Sequence, residues 1–406
     1  MRMKQIIATA SAATSLVLAG GLVCAASQYG PGVSDTEIKI GNAMPYSGPA
    51  SAFGATGKSE ATYFNMINEQ GGINGRRITF ISRDDGYSPP KTVEVVRRLV
   101  EQDQVLLLFS VLGTPPNTAI QGYLNDNNVP QLFAVTGADK WNDPKHHPWT
   151  MGWRPSYRVE ARIYGRYILK NLPDAKIAVL YQNDDFGEDY LLGLREGLGD
   201  KAAKMIMATQ TYETTDPTVD SQIVALQASG ANVLVTAAIP KTAAQAIRRV
   251  YDVGWRPTHF LTSVSISVGA VMQRAGPEKC IGIITAGYLK EPTDPQWQDT
   301  PEYKEWLAWM KKYNTSGNIA DSLTVYGYSL AQTMVAVLKA SGDNLTRENV
   351  MKHAASMHNL TQPMLLPGIT LSTSADDFAP IKQMQLEEFD GTTWRLFGEV
   401  ISGAGH

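Results

Sequence analysis

The side chains best able to do chemistry in this chain come in adjacent pairs. Asp84-Asp85 sits in "SRDDGYSPP", Asp184-Asp185 in "YQNDDFGEDY" and His146-His147 in "WNDPKHHPW". Paired carboxylates can divide general acid and base work, as in a secreted hydrolase. The same pairs at strand ends also brace a turn and cap the helix that follows. No nucleophile accompanies them: the chain has no G-x-S-x-G elbow and no H-E-x-x-H pair. Capping is the preferred reading of both acid pairs. Adjacent histidines rarely share one metal, and His353 and His358 are five apart, off the i,i+4 face that two helical ligands require. "FGATGKS" (53–59) invites a phosphate-loop reading, but Ala52 stands where that motif needs glycine. No catalytic group, metal or cofactor is expected.

Anion binding without a cationic side chain is the chemistry that remains. In "LLLFSVLGTPPNTAIQGYL" (106–124) an apolar strand stops at Gly113, and Thr114 and Pro115 open a helix. Threonine suits the N-cap and proline the first helical position. Ligands of open α/β sheets bind beyond the carboxyl ends of the strands. A helix start there offers free N–H groups and partial positive charge to an anion. The next strand ends in "AVTGAD" (134–139), so Thr114 and Thr136 can hydrogen-bond one carboxylate together with backbone N–H groups. Plain helix capping is the alternative on spacing alone.

The elements that must position these loops alternate along the chain. Strands are expected at 37–44, 76–86, 105–111 and 130–138, with helices at 57–70, 90–102 and after Thr114. The pattern restarts with strands at 176–182, 204–212, 232–239 and 258–265. A weak internal repeat relates 105–137 to 233–265, with Pro130 and Pro257 at matching places. The last strands, around "QMQLEEFDGTTWRLFGEV", read as an edge hairpin turning at Asp390-Gly391. The expected fold class is α/β, with two doubly wound parallel-sheet lobes. The 406 residues suffice for two domains, and a net charge of −3 without basic runs argues against a nucleic-acid partner.

Residues 1–26 have a basic start, an apolar run of small residues and a Cys24-Ala25-Ala26 end, the architecture of a cleaved secretory signal. The expected location is therefore periplasmic. Cleavage would leave Cys280 as the one cysteine, without a disulfide partner and read as a buried small hydrophobe.

Across residues 34–400 the chain resembles the periplasmic solute-binding proteins of branched-chain amino-acid ABC transporters, the leucine/isoleucine/valine-binding type. The carrying stretches are "IKIGNAMPYSGPASAFG", "NEQGGINGRRITFISRDDGYSP", "LGTPPNTA", "VPQLFAVTGA", "KIAVLYQNDDFGEDY" and "YGYSLAQ". The resemblance implies a periplasmic binding protein type I fold whose lobes, joined by three crossovers, close on a ligand. The crossovers are placed near 153–157, 285–290 and 376–382. One lobe then comprises 34–153 with 288–378, the other 154–287 with 379–403. Carried over position by position, the hydroxyl that holds the ligand carboxylate falls on Thr114. The next strand's contacts fall on Val135, Thr136 and Gly137, the first-loop aromatic on Phe53, and the second-lobe aromatic on Phe186.

One departure bears on the ligand. In the amino-acid binders an acid of the second lobe holds the ligand ammonium. The matching stretch here, "LTSVSISVGA" (261–270), offers Ser263 and Ser265 but no carboxylate. An unpaired ammonium in a closed cleft is costly. With Tyr87 and Tyr326 as further lining, the expected ligand is a small aromatic or apolar acid. A branched-chain amino acid stays open if Asp184 or Asp185 supplies the missing partner. The expected protein is a monomer that captures this carboxylate and delivers it to a membrane ABC permease. A ligand-sensing module for a receptor and a secreted hydrolase are the alternatives.

Overall fold

In the computed structural model, which describes residues 29–403, strands and helices alternate around two sheets. The first is parallel throughout, in the order β2-β1-β3-β4-β5. Its strands are β1 (Glu37–Met44), β2 (Arg77–Asp84), β3 (Leu107–Phe109), β4 (Gln131–Ala134) and β5 (Thr150–Gly152). β3 and β4 are buried at every residue, as expected of central parallel strands covered on both faces.

The second sheet repeats that order and then extends it. β6 (Ile177–Gln182), β7 (Ile206–Tyr212), β8 (Val233–Ala237), β9 (Thr258–Leu261) and β10 (Ile284–Gly287) run parallel in the order 7-6-8-9-10. β11 (Gln383–Phe389) and β12 (Trp394–Ser402) add an antiparallel hairpin along β10. β7, at the opposite edge, alternates half-buried and exposed residues, as a strand wet on one face should. In each sheet the connections reverse direction beside the first strand. Such a switch point leaves a crevice beyond the strand ends.

Helices α1 (Gly54–Glu69), α2 (Pro89–Glu101) and α3 (Thr114–Asp126) belong to the first lobe; α4 (Tyr157–Asn171) and α5 (Asp185–Leu198) pack on each other in the second. The helix Ser322–Ala340 lies against α1, so a late segment of the chain returns to the first lobe. Several boundaries differ from expectation. The helix expected from Gly57 begins at Gly54, and the strand expected over 258–265 stops at Leu261, where Thr262 caps a short turn. α4 and β5 were not anticipated at all. The acid pairs do structural work. Asp184 caps α5 by accepting from Phe186 and Gly187 N–H, whereas Asp84 and Asp85 brace the turn before α2. Cys280 is buried and free. The signal-peptide reading concerns residues outside the described range. Among the described residues no helix is long and apolar enough to cross a membrane.

The α4–α5 contact matters because the first residues of both helices face the cleft. It is made through glycine. A Cβ on Gly193 would lie 2.2 Å from Arg158 O, and one on Gly197 would lie 2.5 Å from Arg162 O. Both obstacles are backbone and cannot swing aside. Gly193→Ala is therefore expected to lower stability by roughly 1–3 kcal/mol through overpacking. Gly122→Ala, on an exposed helical position with nothing near its Cβ, should instead add about 0.5–1 kcal/mol from helix propensity. Denaturant unfolding of the two variants checks the contrast. Equal effects would refute the close-packing account.

Candidate functional site

The two switch points face each other. From the first lobe come Phe53, just before α1, and the loop from Leu112 to Thr114. From the second come Phe186 on α5, Ile239 after β8, and Val264 after β9. Polar contacts close the lobes around this space. Gln182 Nε2 donates to the Tyr87 hydroxyl (3.3 Å), Ser267 Oγ to Asp321 (2.7 Å), Gly269 N–H to Ala320 O (2.8 Å) and Asp139 N–H to Asp189 (2.7 Å).

Two small cavities remain inside, of about 20 and 40 Å³. They share Phe53, Arg154 and Val264 as lining. The first is an aromatic box that includes Tyr87, Tyr157 and Phe186, with Thr114 and Val135 at its edge. The second has a mixed lining, with Ser263, Tyr326, Glu291 and Glu387 among its walls beside Ile266, Leu289 and Leu323. A water needs roughly 10–15 Å³ by this measure, so the closed space suits a solute of few heavy atoms.

Thr114 reaches the box by a local device. Gly113, at φ 96°, is the residue before α3, and Thr114 is the first helical residue rather than the cap. A Cβ on Gly113 would lie 2.3 Å from the Tyr87 ring, so only glycine fits. Gly113 N–H is spent on Val135 O, and Pro115 and Pro116 have no N–H. The helix start thus offers a ligand little beyond the Thr114 N–H and hydroxyl, fewer donors than the sequence suggested. The Thr136 hydroxyl accepts from Trp141 Nε1 (3.1 Å) and Ala138 N–H (3.3 Å). Thr114 Oγ1 lies 2.6 Å away, and either hydroxyl can donate. With Thr136 donating, the Thr114 proton is free for a ligand.

The cation that compensates is Arg154, which the sequence reading missed. It stands on the first passage between the sheets, two residues after β5, and is only 7% exposed. Nη2 donates to Ser263 Oγ at 2.8 Å, and Nε has no partner. Ser263 in turn gives its hydroxyl proton and N–H to Glu160 of α4 (2.5 and 2.7 Å). Glu160 balances the guanidinium only through that hydroxyl. The rings of Tyr157, Tyr326 and Tyr288 lie 5.4, 5.8 and 6.0 Å from the Arg154 guanidinium carbon. Among the described residues no carboxylate hydrogen-bonds Arg154.

Of the ten residues singled out from sequence, Phe53, Tyr87, Thr114, Val135, Phe186, Ser263 and Tyr326 line these two cavities. Thr136 and Gly137 instead line a larger cavity, about 180 Å³, behind Arg154 at the crossovers. Ser265 is fully buried and donates to Ala238 O, bracing its loop. The expectation of a cleft without carboxylates is corrected: Glu291, beyond β10, and Glu387, on β11, enter it from segments outside 261–270. Asp184 and Asp185 do not line it. Asp184 is engaged in capping and with Gln182, and Asp185 pairs with Lys140.

Comparison with known proteins agrees with this architecture. A family model described as periplasmic binding protein matches residues 37–393. Leu/Ile/Val-binding protein homolog 1 of Brucella suis biovar 1 is 24% identical over 341 residues, covering 82% of this chain and 86% of that protein. An amino acid binding protein of Pseudomonas aeruginosa is 23% identical over 316 residues, covering 76% and 80%. Among solved structures, a branched chain amino acid ABC transporter protein from Thermus thermophilus with bound valine superposes with a TM-score of 0.81 at 17% identity, covering 92% of this chain and 98% of that one. A fatty acid ABC transporter substrate-binding protein from Thermomonospora curvata does so with 0.76 at 22% identity, covering 93% and 95%. The chain belongs to the periplasmic binding protein family.

Proposed function

We propose that the protein is the substrate-binding component of an ABC importer, capturing a small carboxylate with an apolar body between its lobes. The observation that carries this reading is Arg154, a buried guanidinium in the closed cleft with an unused N–H and no carboxylate of its own. A buried charge left unpaired is strongly unfavourable. A ligand carboxylate placed between Arg154 and the Thr114 hydroxyl would complete both, with the aromatic box around its body. The neighbours' names point the same way, since valine and fatty acids both carry a carboxylate.

On this reading nothing is done chemically to the ligand. It is bound, the lobes close by a hinge motion, and a membrane permease accepts it in the periplasm. The hinge would lie at the three crossovers near 153–157, 285–290 and 376–382, between lobes of 34–153 with 288–378 and 154–287 with 379–403. The protein would act as a monomer, exported by its first 26 residues.

The test is a thermal-shift screen of refolded protein against valerate, benzoate, leucine and valine. A ligand at about a hundred times its Kd adds roughly 2.7 kcal/mol to stability, a midpoint rise of several degrees. Arg154→Met should weaken the best acid by about 2–5 kcal/mol. The same change leaves Glu160, 1% exposed, without its countercharge, so the ligand-free midpoint is expected to fall, and affinity is compared at a temperature where both proteins are folded. No binding by any acid, or equal binding by the variant, would overturn the proposal. Thr114→Val should cost roughly 1.5–3 kcal/mol of carboxylate affinity, the worth of a hydrogen bond to a charged group. Isothermal titration checks it, and an unchanged Kd would remove Thr114 from the site.

A further inference from the structure

The second cavity, beyond Arg154, holds more unsatisfied chemistry than a carboxylate ligand explains. Glu291 is 5% exposed; its Oε1 accepts from Thr293 N–H and hydroxyl, and its Oε2 has no partner. Glu387 is 2% exposed, and no hydrogen bond reaches its carboxylate among the described residues. The Tyr326 hydroxyl, on the same cavity, is also without a partner. Buried polar groups in folded proteins are nearly always satisfied, and each exception calls for an explanation. Here two such exceptions, Glu291 Oε2 and the Tyr326 hydroxyl, converge on one space with the unbonded Glu387 carboxylate. Space is kept for Glu387 by Gly287 on the neighbouring strand, where a Cβ would lie 2.9 Å from the carboxylate.

A metal is a poor candidate, since the described residues assemble no group of three metal-competent side chains. A ligand group rich in N–H suits two acceptors and a tyrosine. The acids line the second cavity and Thr114 lines the aromatic box, and the two cavities share Phe53, Arg154 and Val264 as walls. A solute spanning both would present an amine to the acids and a carboxylate to Thr114.

We infer that the solute carries an amine at the end opposite its carboxylate, and that Glu291 and Glu387 receive that amine. This rests on the carboxylate reading above and narrows it from acids in general to ω-amino acids. The electrostatics are consistent with it. Burial pushes the Glu291 carboxyl up to about 8, with Asp321 and Asp294 adding to the rise. Burial pushes Glu387 well above the carboxylate range too, helped by Glu291, Asp294 and Glu160. Arg154 and Lys290 are the cations on the cavity, and Lys290 pairs with Glu302 at 3.8 Å. Near neutral pH Glu291 thus carries a proton in the empty site, and burial shifts Glu387 in the same direction. An incoming ammonium favours the carboxylate form, so binding releases protons.

Isothermal titration of the refolded chain tests this with γ-aminobutyrate and δ-aminovalerate against butyrate, valerate and leucine. One of the ω-amino acids is expected to bind at least tenfold more tightly than its amine-free partner and than leucine. Its heat should vary with the ionisation heat of the buffer, reporting proton release. Glu387→Gln should remove the tenfold preference while leaving butyrate and valerate within about threefold. Glu291→Gln serves the same purpose if the first variant folds poorly. Equal binding of amino and amine-free acids would overturn this inference and leave the carboxylate reading standing. A preference for leucine, or one that survives both variants, would also overturn it. Failure of every acid to bind would overturn both.

Discussion

The cleft is organised around one buried cation. Arg154 reaches its countercharge, Glu160, only through the Ser263 hydroxyl. Each member comes from a different place: the passage between the sheets, the first turn of α4, and the turn after β9. The relay therefore ties the crossover to the second lobe, and it holds only while α4 stays in register on α5. The glycines at 193 and 197 set that register. A larger residue at either would push α4 away and carry Glu160, Ser156 and the Arg154 strand end with it. Packing thirty residues away thus governs how well the charge is compensated.

The same arrangement explains why hydroxyl and aromatic groups surround the guanidinium instead of an acid. A direct carboxylate partner would satisfy Arg154 internally and leave nothing for a ligand. A hydroxyl bridge and three ring faces lower the cost of burial without consuming the guanidinium's remaining donors. Thr114 follows the same logic on the opposite wall. Thr136 already accepts from Trp141 and Ala138, and when it donates to Thr114 the proton of the residue facing the box is free.

Much of the fold was legible because parallel strands buried on both faces are continuous apolar runs and their covering helices are amphipathic. The repeat of 105–137 in 233–265 corresponds to β3–β4 and β8–β9, equivalent strands of two sheets with the same order. α4 was illegible for a physical reason. Its sequence, "YRVEARIYGRYILKN", reads as a polar helix, and its buried face includes Glu160 and Tyr164, which bond each other and otherwise depend on Ser263 and Leu261 from outside the helix. The acids were missed likewise. In "QMQLEEF", Met384 and Leu386 mark the expected core face, and Glu387 looks like the solvent face. It is nevertheless buried, on the face that also carries the fully buried Phe389, and it lines the cavity shared with Leu323 and Tyr326. For Arg154 one signal existed: a charged residue between Trp153 and Pro155 within an expected crossover has no obvious solvent-exposed helix face to occupy. The error at Thr114 was one residue, since Gly113 with its positive φ took the terminal position and the second proline removed another donor.

Unsatisfied groups in a closed cleft also say something about closure on the proposed reading. In an open cleft Arg154, Glu291, Glu387 and Tyr326 would meet water, which satisfies them all. Closing without a ligand strips that water and replaces it with nothing, so the lobe contacts at Asp321, Ala320, Asp189 and Gln182 must offset the loss alone. A solute that supplies a carboxylate and a donor removes the penalty at closure and not before. Its affinity is then greater for the closed form than for the open one, which is the sole way a ligand can shift a two-state equilibrium. A solute lacking one of the two ends would fill the space and still leave buried polar groups without partners. Selectivity and closure therefore draw on the same buried groups, and a binding protein built this way closes most readily on the solute that completes both.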